Sequence, residues 1–244
     1  MSDEEQAHTV YRRLALVDFA DELRMGLNLG FYRTFAVPSI ARVLVGTGKM
    51  SSRPVERAKA TGALMYALID HGLEAPAGRA AVETLSRLHR GLPVGDEEFV
   101  YVLAAFCVAP LRHIDRIGWR PTTAEERAAA HAFYAGLAAR MGITGVPGSY
   151  EALGVWMDRY EARTFAATAE GRALMEATFG ILAERLPSAL GPLARTAAAA
   201  LFDERLLQAT GIRPASRAVR WAMRVGLSWK SRRSSGRWQS ENSR

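Results

Sequence analysis

Apolar side chains along this chain recur every three or four residues, the spacing of one face of an α-helix, while alternating β-branched runs of the strand type are scarce. Gly and Pro interrupt the pattern where helices would end, as in "GTGKMSSRP", "DHGLEAPAG", "RGLPVGD", "ITGVPGSY", "RLPSALGP" and "TGIRPAS". The pattern predicts an all-α fold: a single globular multi-helix bundle of roughly eight to ten helices joined by short connections. "TTAEE" predicts a capping box, with Thr122 or Thr123 as the cap and Glu125 or Glu126 in the first turn. No repeat with a solenoid period of about 20–50 residues is visible.

Composition narrows the class. At 244 residues, 49% hydrophobic and 23% charged, the chain can bury a sizeable core and reads as an ordinary globular protein. Its longest apolar stretch, Phe99 to Leu111, contains Pro110 and falls short of the ~20 residues a membrane span requires. The N-terminus opens with acidic and polar residues instead of a basic segment followed by an apolar one, so a cytoplasmic location is expected. The single Cys107, in "YVLAAFCVAPL", is expected to act as a small buried hydrophobe.

The net charge of +7 suggests nucleic acid until its distribution is examined. Arg213 to Arg244 holds nine Lys/Arg against one acid, Glu241, a local excess of +8 that leaves −1 for the rest. No DNA-reading motif precedes this tail, so nucleic acid is not an expected partner. "PASRAVRWAMRVGLSWK" projects as an amphipathic helix, with Arg217, Arg220 and Arg224 on one side and Val219, Ala222, Met223 and Gly226 opposite. With Trp221 and Trp229 it suits an anionic membrane surface, or else packs on the bundle with a solvated Arg face. The pattern divides the chain into a helical domain over 1–212, a basic amphipathic helix over 213–233, and a tail without structure over 234–244.

Candidate chemistry begins with the helix near Ala77. Ala81, Val82, Leu85, Leu88 and Leu92 fall on one side, with Arg79, Glu83, Arg87 and Arg90 on the other; His89 falls within the apolar stripe. On the preceding helix Arg57 projects onto the stripe formed by Thr61, Leu64, Met65 and Leu68, and a buried guanidinium needs a carboxylate, a phosphate or a helix end. Each residue alone is explained by a hydrogen-bonded core position. Together they also suit haem, whose iron takes an imidazole and whose acidic propionates take an Arg with a neighbouring Thr. His71, before Gly72, reads as a helix C-terminus, and Asp96, Glu97 and Glu98 as an acidic helix start, one of which can orient His89. His113 is expected half-exposed on its helix, or else facing a pocket. GxGxxG, P-loop, HExxH, CxxC and GxSxG motifs are absent.

Six segments carry a resemblance: "FYRTFAVPSIARVLVGTGKM", "RPVERAKATG", "SRLHRGLPVGDEEFVYVLAAFCVAPLR", "IGWRPTTAEERAAA", "ARMGITGVP" and "DRYEARTF". In this order, strongest over 31–165, they resemble the oxygenase MpaB family, which includes the latex-clearing rubber oxygenases; "YRTFAVPSI" and "GWRP" resemble a bacterial subgroup. The resemblance implies a bundle of the rubber oxygenase/MpaB type holding haem b through one proximal histidine, with an Arg-x-x-x-Thr pair on a neighbouring helix. His89 matches the histidine, and Arg57 and Thr61 match the pair. The implied function is a haem-dependent oxygenase acting with dioxygen on an apolar substrate, such as an unsaturated lipid or isoprenoid. Three positions depart: Ala60 stands where the rubber-cleaving branch has a basic residue, Ser86 where it has Arg, and His113 where the subgroup has an aromatic. Polyisoprene cleavage is therefore not carried over. The alternative is a non-catalytic helical protein that binds lipid or associates with a membrane.

Overall fold

The computed structural model describes the backbone of residues 2–47, 54–184 and 191–242, and the side chains of 2–47, 60–180 and 195–233. Among the described residues there is no strand, and the all-α expectation holds. The helices are α1 (Asp3–Arg13), α2 (Ala20–Thr34), α3 (Pro38–Gly46), α4 (Pro54–His71), α5 (Pro76–His89) and α6 (Asp96–Ile117). They continue as α7 (Ala124–Met141), α8 (Tyr150–Thr164), α9 (Ala169–Glu184), α10 (Gly191–Leu201), α11 (Glu204–Thr210) and α12 (Arg217–Asn242). A π-helical turn, Leu14–Asp18, joins α1 to α2. The twelve helices among the described residues already exceed the expected number, because periodicity does not separate short helices such as α10 and α11, which only Phe202 and Asp203 divide.

Local signals set the ends. The Thr123 hydroxyl accepts from the Glu126 N–H at 3.1 Å and the Glu126 carboxylate accepts from the Thr123 N–H at 2.7 Å, which is the expected capping box. His71 closes α4, and Gly72 follows at φ 76°, a left-handed turn that glycine adopts without strain.

Helix α6 is the axis of the bundle. Twelve of its residues are buried, Cys107 among them, and burial pushes the Cys107 thiol pKa up, as expected of a core hydrophobe. Helix α2 packs on it closely because α2 presents glycines at the contact. A Cβ at Gly30 would fall 2.5 Å from the Ala105 carbonyl oxygen, and one at Gly26 would fall 2.4 Å from Pro110 Cα. Gly30→Ala is therefore expected to force the helices apart and cost about 1–3 kcal/mol of unfolding free energy. Gly180→Ala, where a Cβ meets nothing within 4 Å, should be neutral or stabilising in the same urea titration. Equal effects of the two changes would mean that α2 and α6 are not in close contact.

The core has two parts. The larger joins α1, α2 and α4–α8 around Tyr11, Phe19, Leu68, Tyr101, Leu111 and Tyr134. The smaller joins the end of α2 with α3 and α9–α11 around Phe35, Met175, Phe179 and Phe202. Leu44 and Phe165 pack against both.

The last helix differs from expectation in two ways. It runs to Asn242, through 234–242 where the pattern predicts no structure; an established helix extends without a new nucleation cost. Its docked line is Val219, Met223, Leu227 and Ser231, whereas Ala222 and Gly226 are exposed.

Candidate functional site

Helices α4 and α5 pack against each other, and the four-residue connection between them makes an antiparallel hairpin. Arg57 lies fourteen residues before the end of α4 and His89 thirteen after the start of α5, so both backbones stand about 20 Å from the turn. Thr61 is one helical turn nearer to it. The Arg57, Thr61 and His89 positions thus all lie toward the ends of α4 and α5 away from the turn. The Arg57 side chain lies outside the described residues. Thr61 is exposed, not part of a buried stripe, which Met65 and Leu68 form without it.

His89 is the last residue of α5 and is half-buried. Its Nδ1 lies 2.7 Å from the Leu85 carbonyl oxygen. A carbonyl only accepts, so Nδ1 carries the proton and Nε2 presents its lone pair. The ring meets Phe99 edge-on at 6.0 Å. The orienting group is thus on the same helix, and none of the three acids after His89 performs that role. Asp96 accepts from Thr144 at 3.4 Å, Glu97 pairs with Arg163 at 2.7 Å, and Glu98 accepts from the Gly95 N–H at 3.1 Å and the Ser39 hydroxyl at 2.9 Å. They start α6 and turn toward other elements. Leu88, expected on the apolar side, is 53% exposed. α5 faces the bundle mainly with Ala81 and Val82, and its last turn extends past the core.

Beside His89, helix α6 offers an incompletely covered apolar strip. Phe99, Val102, Phe106 and Ala109 are half-buried and fall within a sector of about 80°. A cleft of about 290 Å³ lies at the opposite, turn end of the hairpin, between His8, His71, Glu74 and Phe133, and contains none of the three expected residues.

A second constellation escapes sequence reading. Arg33 of α2 donates from Nε to Glu161 of α8 at 2.7 Å, from Nη2 to the same carboxylate, and from Nη1 to Asp203. The Tyr101 hydroxyl donates to Glu161 at 3.0 Å, and Arg205 approaches it at 3.7 Å. The Glu161 side chain is fully buried and that of Arg33 is 12% exposed. Burial opposes the charge on Arg33, but the two carboxylates outweigh it and hold its pKa above the ordinary arginine value. Burial also raises the Tyr101 pKa, and Glu161 adds to the rise. The network ties α2, α6, α8 and α11 together where the two parts of the core meet. Its one sequence signal is indirect: Arg33 and Glu161 lie in "YRTFAVPSI" and "DRYEARTF", two segments that carry the family resemblance.

His113 corrects another expectation. It is 2% exposed, and among the described residues neither ring nitrogen has a hydrogen-bond partner. It faces a narrow cleft of about 90 Å³ with Arg33, Arg112, Arg116, Met157 and Asp203. Burial, and then the Arg116 charge, push its pKa down to about 4. Buried in this way the ring is uncharged near neutrality. His113 lies about fourteen residues, or roughly 21 Å, along α6 from Phe99, and Ala109 at the far end of the strip also lines its cleft.

Among the described residues no helix is long and apolar enough to cross a membrane. The family described as ER-bound oxygenase mpaB/B'/Rubber oxygenase, catalytic domain, matches residues 23–229. The chain is similar to the ER-bound oxygenase mpaB of Penicillium roqueforti (strain FM164), 25% identical over 227 residues that cover 86% of this chain and 76% of that protein. It is 25% identical to ER-bound oxygenase mpaB' of Penicillium brevicompactum over 227 residues, 86% of this chain and 53% of that protein. ER-bound oxygenase mpaB of the same fungus is 26% identical over 181 residues, 67% of this chain and 46% of that protein. The chain therefore spans about half the length of the two P. brevicompactum proteins. With an all-helical architecture matched from α2 into α12, the chain belongs to the mpaB/B'/rubber oxygenase catalytic-domain family of oxygenases.

Proposed function

We propose that the protein is a haem b-dependent oxygenase that uses dioxygen on an apolar substrate, an unsaturated lipid or isoprenoid, with His89 as the proximal ligand. The observation that carries this reading is the state of His89. Its Nδ1–H is held by the Leu85 carbonyl, its Nε2 lone pair is left for a metal, and it stands beside Phe99 at the start of an apolar strip. A cytoplasmic location, with peripheral attachment to a membrane, belongs to the same reading.

Haem supplies the redox chemistry that activates dioxygen. The chain supplies the rest. The bond to Leu85 fixes the His89 tautomer and ring orientation and makes Nε2 more basic. Phe99, edge-on to the ring, packs against one side of it. Arg57 and Thr61 of α4 would hold the acidic groups of the cofactor. Phe99, Val102 and Phe106 offer the wall against which an apolar substrate lies.

Protein purified from haem-supplemented cells is expected to show a Soret band that is lost or shifted in His89→Ala, while the far-ultraviolet circular dichroism of the variant stays helical. No band, even after reconstitution with haem, would overturn the reading. It would leave a non-catalytic helical lipid-binding protein, which Ala60, exposed where the rubber-cleaving branch has a basic side chain, favours.

A further inference from the structure

Among the described side chains, helix α12 is attached to the bundle mainly along one line. Val219, Met223 and Leu227 are half-buried and Ser231 is buried, its hydroxyl accepting from the Trp119 N–H at 3.0 Å. Lys230 adds an ion pair to Asp21 at 2.8 Å. At 100° per residue the opposite side of the helix carries Trp221, Val225 and Trp229 in a single stripe. These side chains are 61%, 46% and 57% exposed. Single exposed apolar residues are ordinary, but three in register at intervals of one turn, two of them Trp, form a surface.

Charge identifies what covers it. From Arg213 to Arg233 the chain holds seven Lys/Arg and no acid. Arg217, Arg220 and Arg224 are exposed on the flank of the helix between the docked line and the stripe, and on the stripe's other side the Arg233 guanidinium stacks on Trp229 at 3.6 Å. A second copy of the chain meeting this face would bring like charge against like charge. An anionic lipid headgroup layer supplies the opposite charge, and Trp side chains favour the boundary between headgroups and acyl chains.

We propose that the outer face of α12 is a docking surface for anionic phospholipid membranes. The helix lies flat, its inner line fixed to the bundle, Trp221, Val225 and Trp229 entering the headgroup boundary and the arginines pairing with lipid phosphates and carboxylates. The proposal does not depend on haem. It would place the bundle at the surface where apolar substrates are dissolved.

Sedimentation of the full chain with vesicles tests it. Binding is expected to vesicles containing about one third phosphatidylserine, to weaken with salt, and to be much weaker to phosphatidylcholine alone. Trp221→Ser/Trp229→Ser and Arg217→Gln/Arg220→Gln/Arg224→Gln should each reduce binding about tenfold or more. All these residues are exposed, so the variants should keep the helical circular dichroism of the parent. Absence of binding to the anionic vesicles would overturn the proposal, as would binding that both variants retain. Self-association of the parent, abolished by the Trp variant, without vesicle binding would overturn it in favour of a second copy as the occupant.

Discussion

Arg33→Met is expected to lower the unfolding free energy by about 3–5 kcal/mol, the cost of leaving a buried charge without its partner. The partner is Glu161, whose fully buried carboxylate accepts two bonds from Arg33 and one from Tyr101. Without the guanidinium, Glu161 keeps Tyr101 and a distant Arg205 at 3.7 Å, while Asp203 loses its bond to Arg33. Met keeps much of the apolar stem while removing the guanidinium that lies over Phe165, so the loss reports on charge more than on packing. Glu161→Gln should also destabilise, because an amide carries no charge to offset that of Arg33. Arg33→Met/Glu161→Met should recover part of the loss, since removing both charges spares the desolvation of each. Urea titration of the three variants is the measurement. A cost below about 1 kcal/mol for Arg33→Met would show that the network is solvated and does not join the two parts of the core.

His113 is expected to make the protein sensitive to mild acid. Its pKa falls from the ordinary 6.5 to about 4 in the folded chain, through burial and then Arg116. Between these values the unfolded chain binds a proton that the folded chain does not, so stability is complete above pH 6.5 and falls as pH drops toward 4. At about 1.4 kcal/mol per unit, roughly 3 kcal/mol is lost across the window, and the loss levels off below it. Arg33, Arg112 and Arg116 surround the ring with Asp203. Asp203 itself is held below the carboxylate range by Arg33 and the Leu206 N–H in spite of burial.

His113→Phe removes the titration and the two unpartnered nitrogens while filling similar space. It should match or exceed the parent at neutral pH and lose less stability between about pH 6.5 and 4.5. Acid losses from Glu126 and Asp21, which do not line the His113 cleft, are common to both proteins and cancel in the difference. Parallel stability curves, or an NMR titration of His113 near 6.5, would show that the ring is hydrated.

The candidate site was legible to the extent that it is local. His89, its polar position at the end of an apolar stripe, and its spacing from Arg57 and Thr61 are properties of two adjacent helices. The Leu85 carbonyl was harder to foresee, since every helical residue has a carbonyl four positions back and only the side-chain rotamer selects it. Arg33 and Glu161 are 128 residues apart, and nothing near either one names the other.

What the sequence determined by itself is what short-range physics controls. The helical class, the Thr123–Glu126 box, the Gly72 stop, the burial of Cys107 along α6 and the family all follow from spacing and residue type within a turn or a motif. Tertiary structure alone decided that Leu88 is exposed, that His113 is enclosed, that Arg33 meets Glu161, and that Trp221 and Trp229 face outward. The reason is rotational. Periodicity fixes the angles between side chains on one helix, but which sector meets the bundle depends on the partners packed against it, and those come from distant parts of the chain.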